Sequence, residues 1–169
     1  EAWVYITNLN NNNGIFGTPN GGLSFAVLSN NTLFADQANV GGSPLFGTTA
    51  LSDNTWYHVA VTRKNGYGRT FINGVLESQG NWTADLNSSE VSLVGNLETY
   101  NSWPFNGYID ELRVTKGVAR YTANFVPHTA PFVNPILPQD GLSLWLKADA
   151  GVTYDGSNNV SAWADQSGN

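Results

Sequence analysis

The stretch that decides the fold is residues 56–76, WYHVAVTRKNGYGRTFINGVL. Its first part alternates, with Trp56, His58, Ala60 and Thr62 on one side and Tyr57, Val59, Val61 and Arg63 on the other. That is the two-residue period of a β-strand. The polar, glycine-rich break at 64–68 (KNGYG) reverses the chain, and residues 69–72 (RTFI) make a second short strand. Asn73-Gly74 closes it, because both central positions of a type I′ turn need positive φ and Asn-Gly supplies them at least cost. Residues 75–78 give the third strand. A meander of this kind has one apolar face and needs a second sheet to cover it.

Outside this stretch the chain continues as short strands and turns. Residues 1–8 (EAWVYITN) alternate Trp3 and Tyr5 with Val4 and Ile6. Both faces are apolar, so this strand is expected in the middle of a sheet. Residues 10–14 form an asparagine-rich loop, Ile15-Phe16 a short strand, and 17–22 (GTPNGG) a turn. Residues 23–28 and 32–35 pair as a second hairpin across Ser29-Asn30-Asn31. Between 37 and 52 the one apolar point is Leu45-Phe46. Residues 79–90 (QGNWTADLNSSE) are expected to be a polar loop carrying Trp82, 91–95 a strand, and 96–104 (NLETYNSWP) a loop carrying Tyr100 and Trp103. A strand is expected over 105–114 (FNGYIDELRV), followed by a segment at 116–125 with room for one helical turn.

The composition narrows the function classes. The 169 residues suffice for one well-buried domain with something added. Only 12% of residues are charged, and the net charge is −6. The seven Lys and Arg are scattered without a cluster, which argues against a nucleic-acid partner. With no cysteine, disulfides, thiolate metal sites and a cysteine nucleophile are excluded. No apolar run is long enough to span a bilayer, so membrane insertion is not expected. There is also no methionine, which predicts that the residues are a fragment or processed part of a longer chain. Pro127, Pro131, Pro135 and Pro138 mark an extended connector over 127–140. Beyond it, residues 141–169 open with the alternating run 142–146 (LSLWL) and are too few to bury a core alone.

Taken together, EAWV, WYHVAVTR, FINGVL, VSLVGN and the closing NGYIDELRVTKGVARYTANF resemble the laminin-G-like, concanavalin A-like jelly rolls over residues 1–126. The resemblance implies an all-β fold, an antiparallel two-sheet sandwich, here lacking the family's first strand. The tail GLSLWLKADAGVTYDGSNNVSAWADQSGN resembles the cut-off start of a second such domain. The phrase TKGVARYTANFVPHTAPF is similar to domain ends in phage tail, virion surface and bacterial surface proteins. An extracellular or virion-surface setting is therefore expected. The expected partner is a cell-surface glycan or sibling subunits of a larger assembly, with a purely structural spacer as the alternative.

The chemistry expected within that fold is recognition rather than catalysis. Enzymes of this sandwich pair carboxylates on one strand face, whereas Asp110-Glu111, the adjacent pair within the domain, would point to opposite faces of a strand. His58 lacks companions for a triad and reads as structural, and His128 reads as a solvated linker residue. Trp82, Tyr100 and Trp103, set in polar loops, are the candidate ligand-binding residues, because exposed rings stack on the apolar faces of sugars. The competing reading is that they plug the ends of the sandwich. Asp110 is the candidate metal residue, since the resemblance implies that an aspartate in the closing strand helps hold structural calcium with backbone carbonyls. The triplets at Asn30, Asn81, Asn87 and Asn159 would serve glycosylation only in a eukaryotic secretory setting.

Overall fold

The structure, a computed structural model, describes residues 1–18, 22–37, 43–86, 91–97, 103–131, 152–156 and 160–163. Every regular element among them is a strand. The chain divides into two compact units, Glu1–Thr129 and Ala130–Asn169.

The first unit is a sandwich of two antiparallel five-stranded sheets. The first sheet contains β1 (Ala2–Ile6), β6 (Trp56–Lys64), β7 (Tyr67–Ile72), β8 (Val75–Asn81) and β10 (Gly107–Asp110), in the order β10-β1-β6-β7-β8. The second contains β2 (Asn13–Gly17), β3 (Leu23–Val27), β4 (Leu33–Gln37), β5 (Leu45–Phe46) and β9 (Leu93–Val94), in the order β5-β4-β3-β2-β9. The jelly-roll expectation is thus met. In the second unit, β11 (Val152–Tyr154) pairs antiparallel with β12 (Val160–Trp163). The expected strand at 142–146 and most of the 127–140 connector lie outside the described residues.

The meander forms as its turns dictate. Asn73 and Gly74 have φ of 48° and 79°, the left-handed pair that a type I′ turn requires. The preceding reversal is tighter than the sequence reading. Asn65 and Gly66 form a second such turn, with φ of 52° and 71°, so Lys64 pairs directly with Tyr67. Strand β1 lies between β10 and β6, as its two apolar faces predicted. Alternation sorts the first sheet into an inner face carrying Val4, Ile6, Val59 and Ile72 and an outer face carrying Trp3, Tyr5, Trp56, His58 and Phe71. In the second sheet Phe25, Val27, Leu33, Ala35 and Leu45 face the same core. Apolar area removed from water at ~25 cal/mol/Å² makes this shared core the main driving force for folding.

Three local expectations are corrected. The strand expected over 105–114 is confined to Gly107–Asp110, because Glu111 takes positive φ (49°) and breaks the ladder. The strand expected over 91–95 contracts to Leu93–Val94. Residues 116–125 form no helical turn. They run in irregular conformation across the outer face of the first sheet.

Candidate functional site

Trp82 belongs to the core. It is 1% exposed, and its indole Nε1–H donates to the Ser43 carbonyl at 3.0 Å. The socket is made by Gly68, where a Cβ would stand 2.4 Å from Trp82 Cδ2. Neighbouring Arg63 donates from Nε to the Trp82 carbonyl at 2.8 Å. This corrects the loop assignment: β8 extends through Asn81 and delivers the ring inward, so Trp82 offers no face to a sugar. Tyr100 lies outside the described residues.

Trp103 takes the other course. The backbone at 96–97 and 103 crosses the outside of the second sheet over Gly14, where a Cβ would approach Asn96, Leu97 and Trp103 backbone atoms to 2.7 Å. Gly14 N–H donates to the Trp103 carbonyl at 2.9 Å and fixes the crossing. The half-buried Trp103 ring then lies 6.0 Å from Phe34, which lies 5.4 Å from Phe46. Phe34 and Phe46 face outward by strand alternation, opposite their buried neighbours Leu33, Ala35 and Leu45. Phe46 is 54% exposed. Asp36 and Ser24 are cross-strand partners on the same outer face. Burial pushes the Asp36 carboxyl above its ordinary value, partly opposed by the Gln37 N–H bonded to Oδ1 at 2.8 Å. The result is an aromatic cluster with polar groups on the adjoining pairs, an arrangement that can stack on a ring and bond its hydroxyls.

The outer face of the first sheet is ordered in rows across the strands. One row is Tyr108, Tyr5 and Trp56, the next Asp110, Trp3 and His58, and a third includes Ala60 and Phe71. Residues 113–128 strap down the second and third rows. Phe125 sets its edge against His58 and Phe71, and stacks on Tyr121 at 3.5 Å with the planes 6° apart. Trp3 Nε1–H donates to the His128 carbonyl and Phe125 N–H to the Gly74 carbonyl. Close passage needs glycine at 74, where a Cβ would stand 1.9 Å from the Phe125 carbonyl oxygen.

The strap is tied down by Glu1. Its carboxylate accepts hydrogen bonds from Arg113 Nε at 2.9 Å and from the second Arg113 nitrogen, Nη2, from Tyr121 Oη at 2.7 Å and from His58 Nε2 at 3.1 Å. Burial alone would raise its pKa. The bonds from His58, Tyr121 and Arg113 outweigh burial and hold the carboxyl at about 2. His58 is therefore a packed structural histidine, 1% exposed. Sequence reading missed Glu1 as its partner because the contact spans 57 positions and follows no local period.

Asp110 ends the edge strand β10 as an exposed residue, and its Oδ1 accepts the Glu111 N–H at 2.8 Å. Among the described residues no three His, Cys, Asp or Glu side chains come together. A calcium site here would be held by Asp110 with backbone carbonyls, as the resemblance implies, rather than by a cluster of carboxylates. Among the described residues no helix is long and apolar enough to cross a membrane.

Comparison with known proteins agrees with this architecture. No curated protein matches the chain. Among solved structures, a candidate carbohydrate-binding protein from Bacteroides ovatus ATCC 8483 superposes with a TM-score of 0.53 at 24% identity. The match covers 64% of this chain and 34% of that protein, about a third of its length, and it shows the shared fold. The laminin-G-type profile of the concanavalin A-like lectin/glucanases superfamily matches residues 1–120. That span is most of the first unit, and the chain belongs to the concanavalin A-like lectin/glucanase superfamily.

Proposed function

We propose that the first unit is a non-enzymatic carbohydrate-recognition module, working at a cell or virion surface as part of a larger protein. The observation that carries this reading is the Phe46, Phe34 and Trp103 cluster on the outside of the second sheet, with Asp36 and Ser24 beside it. The rings offer apolar faces, and the Asp36 carboxylate and Ser24 hydroxyl offer the hydrogen-bonding groups that sugar hydroxyls match. Asp36 is the single acid on the strands of that sheet. Hydrolysis of a glycosidic bond ordinarily takes two carboxylates, so the arrangement favours binding over cleavage. The superfamily includes carbohydrate-binding members, and the Bacteroides ovatus neighbour is itself a candidate one.

Affinity electrophoresis of the intact chain through gels containing soluble polysaccharides tests the reading. Retardation in at least one gel, reduced at least tenfold in apparent affinity by Phe46→Ala/Trp103→Ala, is the expected result. Unretarded migration in every gel would remove it, and steady release of reducing ends from the bound polysaccharide would replace binding with catalysis.

A further inference from the structure

We propose that the outer face of the first sheet carries a second, separate glycan-binding surface, the row Tyr108, Tyr5 and Trp56, selective for neutral, soluble polysaccharide chains. The rings sit on the adjacent strands β10, β1 and β6, in register with one another. Tyr5 lies 5.4 Å from Trp56 and 5.8 Å from Tyr108. Trp56 is 43% and Tyr108 65% exposed. The core lies on the other side of the sheet, so these three large rings are not needed to fill it.

Two features select the occupant. First, the row is amphipathic at its tips. The hydroxyls of Tyr5 and Tyr108 and the indole N–H of Trp56 have no hydrogen-bond partner among the described residues, whereas Trp3 in the next row donates to the His128 carbonyl. A purely apolar partner would bury those three polar groups unpaired, which is unfavourable for each. A pyranose, with a C–H face to stack and hydroxyls at its rim, satisfies both the rings and their tips. Second, the charge is wrong for an acidic ligand. Strands β1 and β10 contain no Lys or Arg, and Arg63 and Lys64 of β6 stand at the opposite end of that strand from Trp56. Asp110 adds a carboxylate in the adjoining row, Glu1 further along is already paired with Arg113, and the chain carries a net charge of −6. Uronate, sialylated or sulfated chains would meet repulsion there.

The interplanar angles of 52° and 56° make the row corrugated. A single soluble chain can turn successive sugar rings to follow that profile, whereas the flat face of a crystalline polymer touches one ring at a time. The inference extends the glycan reading to another face and does not depend on the Trp103 cluster. The two surfaces lie on opposite outer faces of the sandwich, so one module could engage two chains or two stretches of a long one.

The test uses the indole N–H resonances of the intact ¹⁵N-labelled chain, with that of Trp56 assigned by its loss in Trp56→Phe. Cellohexaose, laminarihexaose and mannohexaose serve as neutral probes and a chondroitin sulfate hexasaccharide as the acidic one. The expected result is a saturable shift of the Trp56 resonance with at least one neutral probe. That shift persists in Phe46→Ala/Trp103→Ala and weakens at least fivefold in Tyr108→Ala. Movement of the Trp103 resonance alone would overturn the inference and leave the proposed function standing. Movement of Trp56 alone would leave the inference standing and remove the Trp103 cluster. No shift of Trp56 with any neutral probe, a shift with the sulfated probe alone, or a shift that follows protein concentration without sugar overturns the inference, the last by identifying a second copy of the chain as the occupant.

Discussion

On the outer face of the first sheet, one half is covered and the other bare, although both carry aromatic rings from the same strands. Trp3, His58 and Phe71 lie under the strap of residues 113–128: Phe125 packs on His58 and Phe71, Tyr121 on Phe71, the His128 carbonyl accepts from Trp3, and Glu1 ties down the far side. Tyr5, Trp56 and Tyr108 lie one row away, with Tyr5 half-buried and Trp56 and Tyr108 exposed. Alternation treats the two halves alike, since Trp3 and Tyr5 share a strand and a parity. What separates them is the later chain and the hydrogen bonds that hold it. Under the strap the Trp3 indole N–H and His58 Nε2 have protein partners, whereas beside it the polar tips of Tyr5, Trp56 and Tyr108 have none among the described residues. The covered half therefore contributes to stability, and the bare half is available for recognition.

The comparison breaks most readily at Glu1. Glu1→Ala removes the acceptor shared by Arg113, Tyr121 and His58 and leaves these groups without their buried partner. A loss of about 3 kcal/mol in denaturant unfolding is expected, together with faster proteolysis within 113–128. A loss under 1 kcal/mol would show that stacking alone holds the strap.

The same residue sets an acid limit. The Glu1 carboxyl titrates at about 2 when folded, against an ordinary value of 4.5. Its stabilising contribution is complete above pH 4.5 and is lost as pH falls toward 2. At ~1.36 kcal/mol per pH unit of pKa difference the loss across that window is about 3 kcal/mol. Unfolding free energy measured from pH 5 to pH 2 should fall more steeply in the wild type than in Glu1→Gln. Parallel slopes would place the acid sensitivity elsewhere.

Phe125→Ala sharpens the contrast from the strap side. It removes the ring stacked on Tyr121 and set against His58 and Phe71, and about 2 kcal/mol should be lost in thermal or denaturant unfolding, less than for a fully enclosed phenylalanine because Phe125 is half-buried. Trp56→Ala/Tyr108→Ala should have the smallest effect on stability. Cross-strand aromatic pairs at an exposed surface contribute ~0.2–1 kcal/mol each, so the midpoint of unfolding should move little while sugar-induced shifts disappear. If this pair costs as much as Phe125→Ala, the bare row is structural after all.

How much of this could be read from the sequence depends on range. The meander was legible because Asn73-Gly74 is a local signal with a steric cause, and β1 was legible as a central strand from its two apolar faces. The second Asn-Gly turn at 65–66 was blurred by the glycine at 68, whose use is to seat Trp82. That seat is also why a tryptophan in a polar-looking stretch turned out to be core, since its partners Gly68 and Ser43 lie far from it in sequence. The loop setting of Trp103 is legible in the sequence, but its packing against Phe34 and Phe46 is not, because a strand's outer face cannot be told from its inner face until the second sheet is placed. The Tyr5, Trp56 and Tyr108 row was missed for a related reason. Apolar residues on both faces of β1 signal burial on both sides, and on one side the cover stops a row short.

The most direct test of the central claim, that this module binds neutral glycan through its outward aromatic rings, is a glycan array probed with the intact chain beside Phe46→Ala/Trp103→Ala/Trp56→Ala/Tyr108→Ala. The account predicts wild-type signal on neutral glycans and none from the fourfold variant, with the variant's unfolding still cooperative. Binding that survives in the variant, or a wild-type chain that recognises no neutral glycan, would contradict it.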